Sequence, residues 1–286
     1  MMRTARRRAV VPALLLAAAS AAAGPMTASE AIRHYNEVSD YPIPVPESAA
    51  LRAIDDGKVV VLHGAFPRGD GDDTAAIVGF RKVAQPMIRV WVEKMAAGGE
   101  DPDAFTSLTV SGDRAGSAVR YQHIDLPWPF RDRHWVIHAR KMPGLAEASD
   151  GRIWEHRWSL LPDGAARIDH LAAAGRSARS AADAVYLPQN SGAWTMIDLG
   201  DRATLVAAHA SVRLGGFIPD RWARGYASRH LQGMLGALGG EGALPLPCVT
   251  DDPVYAGDGR PLTAEMLASA APADGGSLPV TQSVPE

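Results

Sequence analysis

Apolar and polar residues alternate through the middle of the chain, in segments rich in β-branched and aromatic residues. Proline, glycine, aspartate and asparagine separate these segments, as they do at turns between strands. Because the turns are short, the pattern indicates an antiparallel sheet rather than repeated βαβ units. The predicted strands are 58–66, 74–83, 117–126, 133–141, 152–161, 167–174, 193–199 and 204–212.

Helical periodicity occurs before, within and after the strand-rich region. It predicts short helices at 27–38, 48–54 and 86–97. The longest predicted helix, 219–238, begins at a proline, which is favoured in the first turn of a helix. Its apolar side carries Trp222, Tyr226, Leu231, Met234, Leu235 and Leu238. The order of the elements predicts an α+β fold that ends on this helix.

The first 23 residues have the pattern of a secretory signal peptide. Four arginines precede an apolar run at 9–18, and Ala21 and Ala23 occupy the small-residue positions of a cleavage site. We therefore predict cleavage after Ala23 and export to the periplasm or the extracellular space. No cysteine lies near this site, so a lipoprotein is disfavoured. The alternative is a retained anchor, although Pro12 interrupts the run and a membrane span needs about 20 apolar residues.

Composition narrows the classes of function. The chain of 286 residues has a formal net charge of −3, so it has no basic surplus with which to hold a nucleic acid. Its single cysteine, Cys248, cannot form a disulfide within the chain. Residues 241–286 are rich in proline, alanine and glycine, and we predict that they form a disordered tail. The mature domain is predicted at 24–240, and we expect a monomer.

Two motifs resemble the signature of the START family. The segment 126–136, Leu-Pro-Trp-Pro-Phe-Arg-Asp-Arg-His-Trp-Val, is similar to a run in which Pro-x-Pro leads to Arg-Asp-aromatic-Val. His134 stands where relatives usually have the aspartate. The segment 215–219, Gly-Gly-Phe-Ile-Pro, resembles the family's Gly-Gly-x-Ile-Pro before the last helix. The matching positions of the first motif are Pro127, Pro129, Phe130, Arg133, Trp135 and Val136.

The resemblance covers about 28–238 and implies a helix-grip fold, as in the wider SRPBCC superfamily. In that fold a curved antiparallel β-sheet wraps around a long C-terminal helix, with short N-terminal helices, and leaves an apolar cavity. Members bind or transfer lipids, sterols and other hydrophobic molecules, and some relatives catalyse cyclisation or hydrolysis. The fold alone therefore does not decide the function.

Alternation within the strands provides candidate ligand-binding residues. Aromatic side chains supply apolar contact, and an indole or imidazole can bind a polar group of the ligand. The alternative for each residue is ordinary packing in a core. For Arg133 we favour an ion pair with a nearby acid (Asp125, Asp132 or Glu155) over contact with a carboxylate or phosphate of the ligand. The candidates are Tyr121, His123, Arg133, Trp135, Ile137, Trp154, His156, Trp158, Trp194, Met196, Trp222, Tyr226 and Met234.

No catalytic motif, metal-binding motif or phosphate-binding loop occurs in the sequence. His134 and His138 are about 13 Å apart along one predicted strand, which is too far for one metal ion. We therefore predict no cofactor, and a non-enzymatic protein that binds or transfers a lipid or similar molecule, with transient membrane contact. One alternative is a hydrolase or cyclase of the same superfamily, in which His156 would pair with a carboxylate. A second alternative is an interaction module whose cavity is filled by its own side chains.

Overall fold

A computed structural model describes residues 24–65, 75–96, 105–113, 115–166, 183–240 and 254–270. The predicted signal peptide and the predicted strand at 167–174 lie outside these residues. The helices are α1 (Ala28–Val38), α2 (Ser48–Asp55), α3 (Met87–Ala96), α4 (Pro143–Ala148), α5 (Asp220–Ala237) and α6 (Ala264–Ser269). The strands are β1 (Val60–Ala65), β2 (Ala75–Val83), β3 (Phe105–Gly112), β4 (Ser117–Ile124), β5 (Arg133–Lys141), β6 (Ile153–Leu160), β7 (Val185–Tyr186), β8 (Gln189–Gly200) and β9 (Ala203–Arg213).

Within the described residues the strands form one curved sheet in the order β1-β2-β9-β8-β6-β5-β4-β3. All neighbours on this path are antiparallel, and the short β7 pairs with β5 in parallel. The long helix α5 packs across β1 and β2. This arrangement is the helix-grip fold that the two motifs predicted, and the α+β fold class is confirmed.

The two faces of the sheet bury different elements. On the inner face, α3 and α5 pack against the central strands, through a core that includes Trp154, Met196 and Leu235. On the outer face, α1 and α2 cover a second core that includes Tyr35 and Phe80. Because side chains alternate along each strand, one sheet can support both cores.

Strand β3 was not predicted from the sequence. Its residues Thr106, Ser107, Thr109 and Ser111 are small and polar, so the segment lacks the apolar alternation on which strand prediction rests. It joins the sheet through backbone pairing with β4. The structure shows this backbone pairing, but the pairing produces no pattern of side chains from which the strand could be predicted.

The prediction of a disordered tail is wrong for residues 254–270. This segment contains α6, and its apolar residues Ala256, Leu262 and Leu267 are buried in the inner core. The indole nitrogen of Trp91 donates a hydrogen bond to the Tyr255 carbonyl at 2.8 Å. Tertiary contacts therefore order a segment that its composition alone could not. The remainder of the predicted tail, 241–253 and 271–286, lies outside the described residues.

Close approach of α5 to the sheet requires a glycine at position 79. A Cβ atom there would lie 2.5 Å from Leu235 Cδ1 and 2.9 Å from Leu231 Cδ2. Both leucines are buried. The α5 backbone can therefore approach β2 closely only where this side chain is absent.

Substitution Gly79→Val should lower the free energy of unfolding by about 1–3 kcal/mol, because an isopropyl group would enter a filled space. Gly233→Ala is the matched control, since a Cβ atom at this exposed helical position meets no atom within 4 Å. The control should gain up to about 1 kcal/mol from helix propensity. Urea unfolding followed by circular dichroism measures both. Equal stability of Gly79→Val and the wild type would contradict the described packing of α5.

Candidate functional site

The C-terminal end of α5 is fixed by one arginine and one glutamate. Arg81 Nη1 donates to the carbonyl oxygens of Leu235, Gly236 and Leu238 at 2.8, 2.9 and 2.7 Å. The carboxylate of Glu93, on α3, accepts the Gly239 amide at 3.1 Å. The last carbonyls of a helix have no partner within it, so a cation from the sheet both satisfies them and complements the helix dipole.

Arg133 binds the segment that precedes the N-terminal end of α5. This buried side chain donates to the carbonyl of Leu214 at 2.6 Å and to that of Gly215 at 2.9 Å, just before α5. It also donates to the carbonyls of Arg131 and Asp132 in the loop before β5. Arg133 therefore joins two loops at one end of the sheet.

These contacts bear on the ion pair that the sequence analysis favoured for Arg133. Its described hydrogen-bond acceptors are main-chain carbonyls, whereas we had favoured an ion pair with an acidic side chain. Asp132 also acts on the guanidinium electrostatically, and contact of Arg133 with a ligand stays a prediction. The Leu214 carbonyl that accepts from Arg133 lies 81 residues further along the chain. No local sequence pattern could therefore have predicted this hydrogen bond.

The inner face brings most of the predicted site residues together in two neighbouring groups. Trp135 and Ile137 of β5 pack with Trp222 and Tyr226 of α5. Trp154, Trp194 and Met196 pack with Met234 of α5. Trp158 belongs to both groups and links them. His156 lies on the same face, directly opposite Trp194 in the register of β6 and β8.

Tyr121 and His123 lie on the outer face, away from these groups. Tyr121 pairs with Val136 and His123 pairs with His134, whereas Trp135 pairs with Gln122. Directly paired residues share a face, so the assumption that Tyr121 and His123 face the long helix is wrong. The Tyr121 hydroxyl lies 3.4 Å from His134 Nδ1.

The outer-face group around His123 could hold a cation. His123, Asp125 and Asp132 each place one ligand atom within 4.8 Å of the others. Imidazole nitrogen and carboxylate oxygen are ligands that Zn²⁺ accepts. Asp132 Oδ1 also accepts the Leu126 amide at 3.0 Å, which ties the loop before β5 to β4.

Sequence reasoning missed three inner-face residues. Trp91 of α3 is fully buried and packs edge-on against Trp154, with 5.5 Å between ring centroids. Lys94 Nζ lies 4.5 Å above the ring of Trp194, and Lys141 Nζ lies 5.3 Å from the ring of Tyr255. The helical periodicity of 86–97 could have indicated Trp91, but no local pattern links the lysines to their aromatic partners.

Burial and neighbouring positive charge lower two pKa values on the inner face. Burial, together with the smaller effect of the charge of Arg120, lowers the pKa of Lys94 to about 8. Burial lowers the pKa of His156 to about 3, with added effects of Lys94, Lys141 and Arg120. On the outer face, burial and then His123 lower the pKa of His134 to about 4. All three shifts disfavour the protonated form.

The N-terminal half of α5 covers the inner face less completely than the C-terminal half. Leu231, Leu235 and Leu238 are buried, while Trp222 and Tyr226 remain partly exposed. Among the strand residues, Trp158 is also partly exposed. A depression of about 380 Å³ is lined by Trp158 together with Tyr41, Arg157 and His209 of the outer face.

Comparisons with known proteins add only a likeness of fold. No protein-family model matches the sequence, and a search of curated proteins finds no match.

The lipid transfer and protein localization domain of human StarD13 is 10% identical, with a TM-score of 0.46 over 63% of this chain and 84% of that one. A STAR-related lipid transfer protein from Xanthomonas axonopodis is 18% identical, with a TM-score of 0.43 over 62% of this chain and 93% of that one. The Zhui aromatase/cyclase from Streptomyces sp. R1128 is 16% identical, with a TM-score of 0.39 over 58% of this chain and 92% of that one. These likenesses carry no argument about function.

The lowered pKa values of His134 and His156 predict a loss of stability in mild acid. Their folded pKa values of about 4 and about 3 lie below the ordinary value of 6.5, so the unfolded chain takes up protons first as the pH falls. Stability should be complete above about pH 6.5 and should decline toward pH 4. Between pH 7 and pH 5 we expect a loss of about 1–2 kcal/mol per histidine, with the smaller value for the partly exposed His156.

Urea unfolding of the wild type, His134→Gln and His156→Gln at pH 7 and pH 5 measures this effect. Each variant should lose less stability than the wild type between the two pH values. His34→Gln, on α1, is the control and should behave as the wild type. An identical loss in all four proteins would show that carboxylates, and not these histidines, dominate the acid response.

Proposed function

We propose that this protein binds a lipid or similar apolar molecule between the inner face of the sheet and α5, and carries it without chemical change. The observation that supports this most is the row of tryptophans across the inner face, in which Trp135, Trp154 and Trp194 are buried and Trp158 is partly exposed, as are Trp222 and Tyr226 of α5. Burying apolar surface contributes about 25 cal/mol per Å², so such a ligand needs few polar contacts.

Ligand entry would require the N-terminal half of α5 to move. This half begins at Pro219 without a side-chain cap and follows two glycines, Gly215 and Gly216, that have positive φ angles. The C-terminal half is held by Arg81 and by buried leucines. We propose that the first half lifts about the second, since opening is easiest where burial is least.

Two exposed aromatic residues support contact with a membrane. Trp128 and Phe217 are each 93% exposed, and they lie in the two loops that Arg133 holds together. Exposed Arg221 and Arg224 follow on the first turns of α5. Aromatic rings flanked by arginines suit the interface of an anionic bilayer. No helix among the described residues is long and apolar enough to cross a membrane.

The predicted export signal extends this proposal to the periplasm or the extracellular space. A carrier there would take its ligand from one membrane surface and release it at another. Its contact with each surface would then be transient.

The alternative of a hydrolase or cyclase depends on an acid–base pair that contains His156. Within the described residues, the charges that act on His156 come from Lys94, Lys141 and Arg120, which are all cations. A positive environment opposes the protonated imidazole that general-base catalysis forms. We therefore propose that the protein binds or transfers its ligand without catalysis. Turnover of an ester substrate is one outcome of the binding test.

Protein purified under mild conditions should contain an apolar molecule at a ratio near one to one. Native mass spectrometry followed by lipid extraction measures this ratio. Trp222→Ala should retain less of the molecule, since it removes part of the cover on the inner face, while Trp128→Ala should retain as much as the wild type. Absence of any ligand, even after incubation with lipid, would support the interaction module, and turnover of a screened ester would support the enzyme.

The exposed aromatics should affect transfer rather than binding. Trp128→Ala together with Phe217→Ala should reduce the rate of fluorescent lipid transfer between anionic vesicles by about tenfold, because both interfacial anchors are lost. The control, Val110→Ala, replaces an exposed apolar residue on β3. An unchanged transfer rate in the double variant would exclude these loops as the membrane contact.

A further inference from the structure

The outer face contains a buried imidazole with an unsatisfied ring nitrogen. His123 lies at the end of β4, and its side chain is only 3% exposed. Among the described residues, no hydrogen-bond partner reaches the buried Nε2 atom of His123. A buried polar atom without a partner costs free energy, so it is rare in a native fold and needs a physical reason. The groups around Nε2 therefore show what this atom can bind.

Two carboxylates lie on either side of this imidazole. Asp132 Oδ2 is 4.0 Å from Nε2, which is too long for a hydrogen bond. Asp125 Oδ1 is 3.4 Å from Nδ1, and the Asp125 side chain is 47% exposed. One ligand atom from each of the three residues lies within 4.8 Å of the other two. The ligands of a tetrahedral zinc ion are about 3.4 Å apart, so shifts of about 1 Å would close these residues around one ion.

The carboxylate of Asp132 is already oriented by its surroundings. Its Oδ1 atom accepts the Leu126 amide at 3.0 Å, and its main-chain carbonyl accepts the Val185 amide at 2.9 Å. The neighbouring guanidinium of Arg133 donates to main-chain carbonyls. Carboxylates that bind metals are commonly held by such outer hydrogen bonds, which fix their direction. Asp132 is thus positioned as a ligand by the fold itself.

From this geometry we propose that His123, Asp125 and Asp132 bind one divalent transition-metal ion, for which Zn²⁺ is the best fit. Imidazole nitrogen and carboxylate oxygen are both ligands of Zn²⁺, whereas Mg²⁺ and Ca²⁺ prefer oxygen ligands alone. Water at the exposed side of Asp125 would supply the fourth ligand. The three residues form no known metal-binding motif, which is why we predicted no cofactor from the sequence.

The ion would close the base of the loop between β4 and β5. His123 and Asp125 lie where β4 ends, and Asp132 lies directly before β5. The three ligands therefore enclose the loop 125–132, which presents the exposed ring of Trp128. A metal ion at this place would be structural, because it would restrict the motion of the loop. Its binding does not depend on a ligand at the inner face.

Calorimetric titration of metal-free protein with ZnCl₂ tests the site. One Zn²⁺ should bind per chain, and a large excess of MgCl₂ or CaCl₂ should not displace it. Asp125→Asn and His123→Gln should each weaken Zn²⁺ binding by about tenfold or more. The first variant should keep its fold, since Asp125 is partly exposed, and circular dichroism checks both. His34→Gln, on α1, is the control and should bind Zn²⁺ as the wild type does.

Two further measurements separate this site from chance binding to surface histidines. Co²⁺ added to the wild type should give the visible absorption of a four- or five-coordinate ion, and Asp132→Asn should lose it. Trypsin cleavage after exposed Arg131 should slow when Zn²⁺ is present, relative to cleavage after exposed Lys58 in the same sample. His123→Gln should abolish this protection.

Each contrary result has a distinct meaning. Equal Zn²⁺ affinity of the wild type and the variants at positions 123, 125 and 132 would overturn the site. Absence of Zn²⁺ binding would also overturn it, and a water molecule would then satisfy Nε2. Ca²⁺ binding as tight as that of Zn²⁺ would exclude the imidazole as a ligand. Zn²⁺ binding that leaves cleavage after Arg131 unchanged would overturn the structural role in the loop. Lipid binding at the inner face is measured separately, and none of these results alters it.

Discussion

The position of α5 across the inner face is the constraint on which the rest of the structure depends. Arg81 fixes the C-terminal end of the helix, whereas Arg133 holds the segment that precedes it, and both bind main-chain carbonyls. Arg81 satisfies the carbonyls that the last turn leaves without partners, and Arg133 holds the linker before the first turn. Main-chain acceptors fix the backbone itself, including where the side chains of the helix are partly exposed.

Unequal burial along α5 follows from this arrangement. Near β2, the missing side chain of Gly79 lets Leu231 and Leu235 approach the sheet and exclude water. Near β5, large rings separate the helix from the strands, and Trp222 and Tyr226 stay partly exposed. One half of the helix is therefore packed as in a core, and the other half covers the sheet only in part, as the proposed binding of an apolar molecule requires.

Residues outside the sheet and α5 complete the inner face and give it its charge. α3 brings Trp91 and Lys94, and the segment 254–270 closes over them through the bond from Trp91 to the Tyr255 carbonyl. The cation–aromatic contacts of Lys94 and Lys141 place positive charge against apolar walls. This part of the inner face is consequently amphipathic, although the individual strands have no distinctive charge pattern.

Prediction from the sequence succeeded where a signal was local and periodic. Alternation in β5 correctly placed Trp135 and Ile137 on the face toward the long helix, and the two motifs predicted the helix-grip arrangement. Alternation separates a strand into two faces but does not say which face meets the helix, so Tyr121 was assigned to the wrong side.

Other features depended on partners distant in sequence. The carbonyls that bind Arg133, the lysines over aromatic rings and the ordering of 254–270 all arise from tertiary contacts. The two partners of each contact are too far apart in the sequence for a local pattern to include both. Whether the predicted site residues bind a ligand is a separate question, and it stays a prediction.

Hydrogen–deuterium exchange along α5 tests the central claim most directly. Without lipid, amides at 221–229 should exchange faster than those at 231–238, because the first half opens while the second half stays packed. An apolar ligand should slow exchange in 221–229 and leave 231–238 nearly unchanged. Uniformly slow exchange along the whole helix, unaffected by any lipid, would contradict the account of α5 as a cover over a ligand site.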